Sequence, residues 1–325
     1  MYAPQSFSTS VGLMILSMLC WGSWANAFSL CRGRYRFELF YWDYAVGVLL
    51  STLAFYGTLG PGLTDLTHVP PGPNALWGLA AGCVFNLGNV LLVAAISLAG
   101  MAIAFPLCIG LALLLGVGLS WWIAPQITVL PLLLGATLLL CSIGLDASAY
   151  RAMSRDRLSS RWGIAVATAG GVLMGLFPPC LQKALVGPGA LDPYAASVTL
   201  AAGVALCTLA TNGLFMRHPI AGGEIVTLRQ YWRARPAYHL WGVLGGAVWG
   251  AGLVFNSIAA GKVSVAVSYA FGTGGTLVAV LWGALVWREF RGAPIRTLYY
   301  LFGMFVSFLA GILVIAWAKA MSPLR

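Results

Sequence analysis

The sequence has very few charged residues. Lys, Arg, Asp and Glu together make up 8% of its 325 residues, whereas 60% of the residues are hydrophobic and the mean hydropathy is +0.88. Soluble domains carry about 25% charged residues, so this composition excludes a soluble globular protein. Segments of about 20 apolar residues are what a bilayer requires of a spanning helix. The sequence therefore predicts an all-α integral membrane protein.

The sequence also lacks the patterns of a metal site, an enzyme or a cleaved leader. Its seven cysteines show no Cys-x-x-Cys or Cys/His ligand spacing, and its three histidines lie in loops or at the ends of apolar segments. We therefore expect no metal, no cofactor and no buried histidine relay. No basic residue precedes the first apolar segment, and no nucleophile or pair of acids is clustered, so we expect neither a signal peptide nor an enzyme.

Carboxylates are scarce, and we expect none in the middle of a membrane span. A cation held within the membrane normally needs a buried acid, so we expect an uncharged polar solute such as a sugar, a ureide or a nucleobase. Proton coupling would then have to use an acid at the edge of the bundle, and Asp43 and Glu38 are the candidates; otherwise transport is facilitated. The eight carboxylates are Glu38, Asp43, Asp65, Asp146, Asp156, Asp192, Glu224 and Glu289.

Ten apolar segments are predicted to be membrane helices. Glycine, proline and charged residues mark the breaks between them, as at Gly60-Pro61-Gly62 and Gly187-Pro188-Gly189. The predicted helices are Ser10–Leu30, Trp42–Leu59, Asn74–Leu98, Met101–Ile123, Ile127–Leu145, Trp162–Ala184, Tyr194–Met216, Leu240–Ala259, Val263–Trp287 and Leu298–Lys319.

The net charge of +10 reflects where the arginines fall along the chain. Fourteen of the 18 basic residues lie in the connections after the first, fifth, seventh and ninth helices, and only Lys183, Lys262, Lys319 and Arg325 lie on the opposite side. The positive-inside rule places the arginine-rich connections in the cytoplasm. We therefore expect a multi-pass protein of the cell (inner) membrane with both termini facing the outside or periplasm. We expect the protein to contact the lipid bilayer and not to bind nucleic acid.

Two long uncharged hairpins indicate an internal repeat. The first opens with Leu76-Trp77-Gly78, and the second opens with the same three residues 164 positions later, at Leu240. The predicted turns at Gly100 and Gly261 do not keep this offset, so a gap of about three residues is expected. Five helices per half would invert the second half relative to the first. We predict two inverted five-helix repeats, 1–150 and 151–325, within a single transmembrane domain.

Aromatic and amide side chains inside the predicted helices are the candidates for a solute site. Small ligands are usually held by aromatic walls with a few convergent polar groups. Each amide could instead join two helices, and Pro178-Pro179 could either break the sixth helix beside a cavity or simply kink it. The candidate residues are Trp21, Trp24, Asn26, Asn86, Asn89, Phe105, Phe177, Gln182, Trp249, Asn256, Tyr269 and Phe271.

Short motifs along the chain resemble the drug/metabolite transporter superfamily, and within it the branch of ureide permeases and glucose/ribose uptake transporters. Ureide permeases have Gly-x-Trp-Pro in helix one, Tyr-x-Asp-Tyr at the start of helix two, Gly-Asn in helix three and Gly-Glu-Tyr/Phe-Arg after helix nine. The corresponding segments here are 22–25, 41–44, 88–89 and 288–291. This chain has Ala25 in place of the proline, and it has only 147–161 where those permeases carry a long central loop.

The resemblance implies ten helices in two inverted halves and uptake, often proton-linked, of a neutral polar solute. Together with the residue patterns, it predicts a secondary transporter that imports a sugar such as glucose, ribose or rhamnose, or a ureide or nucleobase, by alternating access. An exporter of drugs or metabolites is the alternative, and a membrane scaffold is a remote one. The sequence is compatible with a monomer or a homodimer.

Overall fold

The computed structural model describes residues 1–31, 33–64, 72–153, 161–220 and 222–321. Within these residues, ten helices are long and apolar enough to cross a membrane, which confirms the predicted all-α membrane fold. A short helix, Leu228–Trp232, precedes the eighth of them. Numbered α1–α10 in chain order, the spanning helices are Phe7–Ser29, Phe37–Thr58, Pro73–Ala99, Met101–Ile123, Val129–Met153, Arg161–Leu185, Pro193–Arg217, Pro236–Val263, Val265–Trp287 and Ile295–Met321.

Three helix ends differ from the predicted ones at polar residues. α2 begins five residues before Trp42, α5 continues eight residues beyond Leu145, and α8 begins four residues before Leu240. Asp43 was already inside the predicted second helix, and Asp146 lies one residue beyond the predicted end of the fifth. Both acids lie toward the ends of their helices rather than in the middle, and both are buried because other helices pack around them.

The double proline does not interrupt α6. The helix is continuous through Pro178 and Pro179, both of which are buried. Each proline removes one backbone donor, so two intrahelical hydrogen bonds are lost without a break. α1 is divided only slightly, into Phe7–Ser23 and Ala25–Ser29, and the residue between them, Trp24, keeps helical dihedral angles (φ −56°, ψ −37°).

The main interruption of a spanning helix is in α9. This span consists of Val265–Gly272 and Gly275–Trp282, followed by a π-helical turn at Gly283–Trp287. Arg288 then takes up a left-handed conformation with φ 57°. The irregular backbone within the second half therefore lies in α9, not at the prolines of α6.

The turns that join α3 to α4 and α8 to α9 have nearly the same backbone conformation. Gly100 has φ 78° and ψ 159°, and Ser264 has φ 116° and ψ 158°. The turn predicted at Gly261 is wrong, because α8 continues through that residue. Ser264 follows Gly100 by 164 positions, the offset that also relates Leu76 to Leu240. The gap expected between the two hairpins is therefore not needed.

Small residues bring the helices into close contact, as their four-residue spacing predicts. A Cβ added at Gly246 of α8 would overlap the backbone of Tyr44 in α2, and one added at Gly82 of α3 would overlap the backbone of Leu200 in α7. The packing partners also correspond when the first five helices are exchanged with the last five. Under this exchange the pair α1 and α8 corresponds to the pair α6 and α3, and the pair α2 and α8 corresponds to the pair α7 and α3. The pair α5 and α10 corresponds to itself. The helices of all five pairs are in contact.

Candidate functional site

Eight aromatic side chains from six helices meet inside the bundle. They come from α1, α2 and α3 of the first half and from α6, α8 and α9 of the second, so the cluster joins both halves. We call this group the aromatic cluster: Trp21, Trp24, Tyr41, Tyr44, Phe85, Phe177, Trp249 and Tyr269.

Trp249 of α8 is the hub of the aromatic cluster. Its ring stacks on Trp21 with centroids 5.9 Å apart and on Phe85 with centroids 4.2 Å apart. Phe85 makes an edge contact with Phe177 at 5.4 Å, and Phe177 makes another with Tyr269 at 5.4 Å. Offset and edge-to-face arrangements are the favourable geometries for aromatic pairs, so these rings form one continuous wall.

A second branch of the aromatic cluster runs along α2. Tyr44 lies 4.9 Å from Trp24 and stacks on Tyr41 at 5.0 Å between ring centroids. Tyr44 also approaches Trp249 at 6.4 Å, which connects this branch to the hub. Trp21 and Trp24, like Tyr41 and Tyr44, are three residues apart, and such a pair lies on one helix face.

Glycines on α8 and α9 make room for Trp21. A Cβ added at Gly252 or at Gly272 would overlap the indole ring. The indole Nε1 donates a hydrogen bond to the carbonyl oxygen of Trp249, 3.2 Å away. Trp21 is therefore fixed in position by backbone shape as well as by ring stacking.

The two tyrosine hydroxyls of the aromatic cluster differ in their hydrogen bonding. Asn89 Nδ2 donates to the Tyr41 hydroxyl at 3.1 Å. The Tyr44 hydroxyl is fully buried and has no hydrogen-bond partner among the described residues. A buried polar group without a partner costs about 1–3 kcal/mol. The Tyr44 hydroxyl is therefore an unsatisfied hydrogen-bonding group beside the aromatic rings.

The other amides proposed from the sequence lie in different surroundings. Asn86 Oδ1 accepts from Thr208 Oγ1 at 3.0 Å and joins α3 to α7, and Asn256 Nδ2 donates to the Ser268 carbonyl at 2.8 Å and joins α8 to α9. Both amides thus serve as contacts between helices. Gln182 of α6 is buried, and its Oε1 has no partner among the described residues.

Three candidates from the sequence lie away from the aromatic cluster. Asn26 accepts a 2.5 Å hydrogen bond from Trp287 Nε1 and donates to the carbonyl of Ser23. Phe105 is half-buried and Phe271 is buried. Within the described part of the chain, neither ring contacts another aromatic ring. Asn26 thus links α1 to the end of α9, and the two phenylalanines are packing residues in this conformation.

Asp43 is at the centre of a network that the sequence did not predict in full. Tyr231 donates to its Oδ1 at 2.6 Å and Tyr35 donates to its Oδ2 at 3.2 Å. His239 Nδ1 lies 2.9 Å from Oδ2 and 3.1 Å from Oδ1. Gly242 allows this approach, because a Cβ there would overlap that of Asp43.

This Asp43 network spans separate elements at the arginine-rich end of the bundle. Tyr35 precedes α2, Tyr231 lies in the short helix before α8, and His239 lies in the first turns of α8. α8 begins earlier than predicted and so brings His239, whose side chain is partly exposed, to the carboxylate.

The two tyrosines of the Asp43 network keep their protons. Burial, reinforced by the neighbouring Asp43 carboxylate, raises the pKa of the Tyr35 and Tyr231 hydroxyls well above the usual value. Both hydroxyls therefore remain donors across the physiological pH range.

Glu38, the second candidate for proton coupling, is paired with a permanent charge. Arg36 Nη2 donates to Oε1 at 2.6 Å and Arg36 Nε donates to Oε2 at 3.1 Å. Arg36 also donates to the backbone carbonyl of Glu224, 3.2 Å away. Glu38 is thus held in a bidentate ion pair at the edge of the bundle.

Asp146 is a second buried carboxylate, which the sequence placed at a helix end. It is 3% exposed within α5, and its Oδ1 has no hydrogen-bond partner among the described residues. α5 packs against α10 and α4 and contributes no residue to the aromatic cluster. Asp146 is therefore a buried acid outside the candidate solute site.

Comparison with known proteins gives distant relatives. No protein-family model matches the sequence. The chain is 22% identical to ureide permease 2 of Arabidopsis thaliana over 97% of this chain and 98% of that protein. It is 24% identical to ureide permease 4 of the same plant over 48% of this chain and 42% of that protein.

A solved crystal structure shares the fold of this chain. The two agree with a TM-score of 0.65 at 18% sequence identity, over 97% of this chain and 99% of that one. The distant similarity to ureide permeases and the ten apolar helices together support a multi-pass membrane protein that transports small solutes rather than an enzyme.

Proposed function

We propose that the protein is a secondary transporter that imports a small neutral polar solute, a sugar or a ureide or nucleobase, by alternating access. The observation that carries this proposal is the aromatic cluster, in which helices of both halves enclose the unpartnered hydroxyl of Tyr44. Aromatic walls with few polar groups are typical of small-molecule sites. Solute contacts with both halves would allow their relative movement to open the site to either side.

The absence of charge in the aromatic cluster supports a neutral solute. All eight of its members are uncharged, and Asn89 adds an uncharged amide. The carboxylate nearest to the aromatic cluster in sequence is that of Asp43. It is already bonded to His239 and to two tyrosines. A cation would need an unpaired acid inside the site.

We also propose that 1–150 and 151–325 are inverted five-helix repeats within a single transmembrane domain. The correspondence of packing partners between the two halves supports this proposal. The matching turns at Gly100 and Ser264, which keep the 164-residue offset, support it further. The arginine-rich connections then lie in the cytoplasm and both termini face outward from the cell (inner) membrane.

Proton coupling would use Asp43. Its carboxylate contacts His239, and its partners come from separate elements of the chain. Glu38 is less suited to this role because both of its carboxylate oxygens are already bonded to Arg36. We therefore propose Asp43 with His239 as the coupling pair.

Export of drugs or metabolites is the competing function. Its case would be stronger if a buried acid reached the aromatic cluster and could bind a cationic drug. Asp146 is buried, but it lies on α5, which supplies no ring to the cluster. We therefore retain import of a neutral solute as the proposed function.

Uptake by proteoliposomes identifies the solute and tests the class. Labelled glucose, ribose, rhamnose, allantoin and uracil are offered with and without an inward pH gradient. We expect saturable uptake of at least one of them that loss of the Trp24 or Asn89 side chain abolishes while expression is retained. Efflux of cationic drugs with no uptake of any neutral solute would contradict the proposal.

Tyr44→Phe tests the site with the smallest chemical change. The hydroxyl has no partner within the described residues, so its loss should not destabilise the fold. We expect KM for the transported solute to rise about two- to tenfold, the value of one hydrogen bond. The matched control is Tyr194→Phe, because Tyr194 is equally buried but donates to the carbonyl of Tyr2 outside the aromatic cluster. An unchanged KM in Tyr44→Phe would remove this residue from the site.

A further inference from the structure

A crevice of about 440 Å³ lies between α4, α5 and α6, at the arginine-rich end of the bundle. Cavities that hold small ligands are typically about 300–1,000 Å³, so this volume is large enough for part of a lipid. The crevice contains none of the candidate solute-site residues. Its lining includes Pro106 and Leu107 of α4, Gly144, Ala147 and Arg151 of α5, and Ile164 of α6.

Small residues on one face of α5 keep the crevice open. Gly144, Ala147, Ser148 and Arg151 follow the i, i+3, i+4, i+7 pattern of a single helix face. A Cβ added at Gly144 would meet no atom within 4 Å, and the Ser148 hydroxyl is turned back to the Gly144 carbonyl at 2.8 Å. α5 packs against α10 and α4, whereas α6 packs against α3 and α4. The space between α5 and α6 is thus an apolar slot with α4 behind it.

The polar end of this slot is cationic. Arg151 lies in the last turn of α5 and lines the crevice. Arg161 is the first residue of α6, one turn before Ile164. Both arginines are exposed, and neither forms an ion pair or hydrogen bond with another residue in the described ranges. Among the described residues, no acidic side chain lines the crevice. The described lining therefore offers a positive charge to an anionic group.

We propose that this crevice binds an anionic phospholipid, with one acyl chain between α5 and α6 and the phosphate on Arg151 and Arg161. The apolar lining matches an acyl chain, and the two guanidinium groups are opposite in charge to the phosphate. Basic pockets between membrane helices bind anionic lipid headgroups in this way. The site is separate from the proposed solute site, because none of its lining residues belongs to the aromatic cluster.

Native mass spectrometry of the full-length protein released from detergent micelles tests the proposal, with phosphatidylglycerol and phosphatidylcholine as probes. We expect wild type to retain phosphatidylglycerol preferentially and Arg151→Gln to bind it about fivefold more weakly, the effect of one basic residue at a membrane surface. Gly144→Leu fills the slot and should reduce retention of the acyl chain whatever the headgroup.

Matched controls come from the end of α7. Gly213 is also free of neighbours within 4 Å of an added Cβ, and Arg217 ends α7 on the same side of the bundle. Gly213→Leu and Arg217→Gln should retain phosphatidylglycerol as wild type does. Equal retention of the two lipids by wild type would overturn the proposal, and so would an effect of the α7 variants as large as that of the α5 variants. Thermal unfolding of each variant verifies that it is folded.

Discussion

Asp43 and Asp146 are both buried in membrane helices, with 4% and 3% of their surface exposed, yet their surroundings are opposite. Both oxygens of Asp43 have partners: Tyr231, Tyr35 and His239. Asp146 Oδ1 has none among the described residues. Burial alone therefore does not separate the acid proposed for proton coupling from the other buried acid.

The difference lies in what surrounds each carboxylate. The partners of Asp43 come from the connection before α2, from the short helix before α8 and from α8 itself. A change in the charge of Asp43 would therefore alter contacts between the two halves. Asp146 lies in α5, which packs mainly on α10. An acid that links separate elements can couple protonation to their movement, whereas an acid without donors only adds the cost of its burial.

Asp43→Asn should have the largest effect. The amide keeps the size of the side chain but cannot accept from all three donors or release a proton, so we expect uptake driven by a pH gradient to fall about tenfold or more. Asp146→Asn is the matched control and should retain gradient-driven uptake. Proteoliposome uptake with an imposed pH gradient measures both variants. Gradient-driven uptake that survives Asp43→Asn would exclude Asp43 as the coupling group.

Asp146→Leu should have the second largest effect, and it should be on stability. Replacing a buried carboxylate that has an unpartnered oxygen with an apolar side chain of similar size should stabilise the fold by about 1–3 kcal/mol. Denaturant or thermal unfolding in detergent measures this gain, and uptake should stay at the wild-type rate. A less stable or inactive Asp146→Leu variant would mean that Asp146 has a role like that of Asp43.

Hydropathy was sufficient to predict the ten helices, because each apolar segment is long and its ends are marked by glycine, proline or charge. The errors arose where a polar residue was read as the end of a helix. Asp146 and His239 were placed just outside the predicted helices but lie inside helices. Their surroundings depend on neighbours that are distant in sequence, and a hydropathy pattern contains no information about those neighbours.

The candidate site was predictable only in part, for a related reason. Trp21, Trp24, Phe177, Trp249 and Tyr269 could be selected as aromatic residues inside spans, and they do meet. That Trp21 would contact a ring 228 residues away follows from helix packing, which the sequence pattern does not specify. Tyr41 and Tyr44 had a local signal that was not used. They are three residues apart, the same spacing as that of Trp21 and Trp24 in α1.

The turn between α8 and α9 shows how local preference can mislead. A positive φ favours glycine, so Gly261 was predicted to form the turn. The chain instead turns at Ser264, whose Oγ accepts a hydrogen bond from the backbone N–H of Val267 at 3.3 Å at the start of α9. This capping bond offsets part of the strain of a non-glycine residue at φ 116°. The repeat offset was thus a better guide to the turn than residue type.

The smallest expected effect concerns the donors that Asp43 has and Asp146 lacks. Burial raises the pKa of Tyr35 and Tyr231 above the value of about 10 that an unfolded chain would have. The folded protein therefore holds these protons more tightly, so their contribution to stability is complete below about pH 10 and declines as the pH rises further.

Unfolding measured at about pH 8 and at about pH 11 should show this decline in wild type. The double variant Tyr35→Phe/Tyr231→Phe should be less stable at about pH 8, because it loses two hydrogen bonds to the carboxylate, but its decline should be smaller. Tyr299→Phe, at an exposed position in α10, should decline as wild type does. An equal decline in wild type and in the double variant would show that these hydroxyls do not hold their protons more tightly in the folded state. The contrast between the donors around Asp43 and the unpartnered Oδ1 of Asp146 would then lose its support.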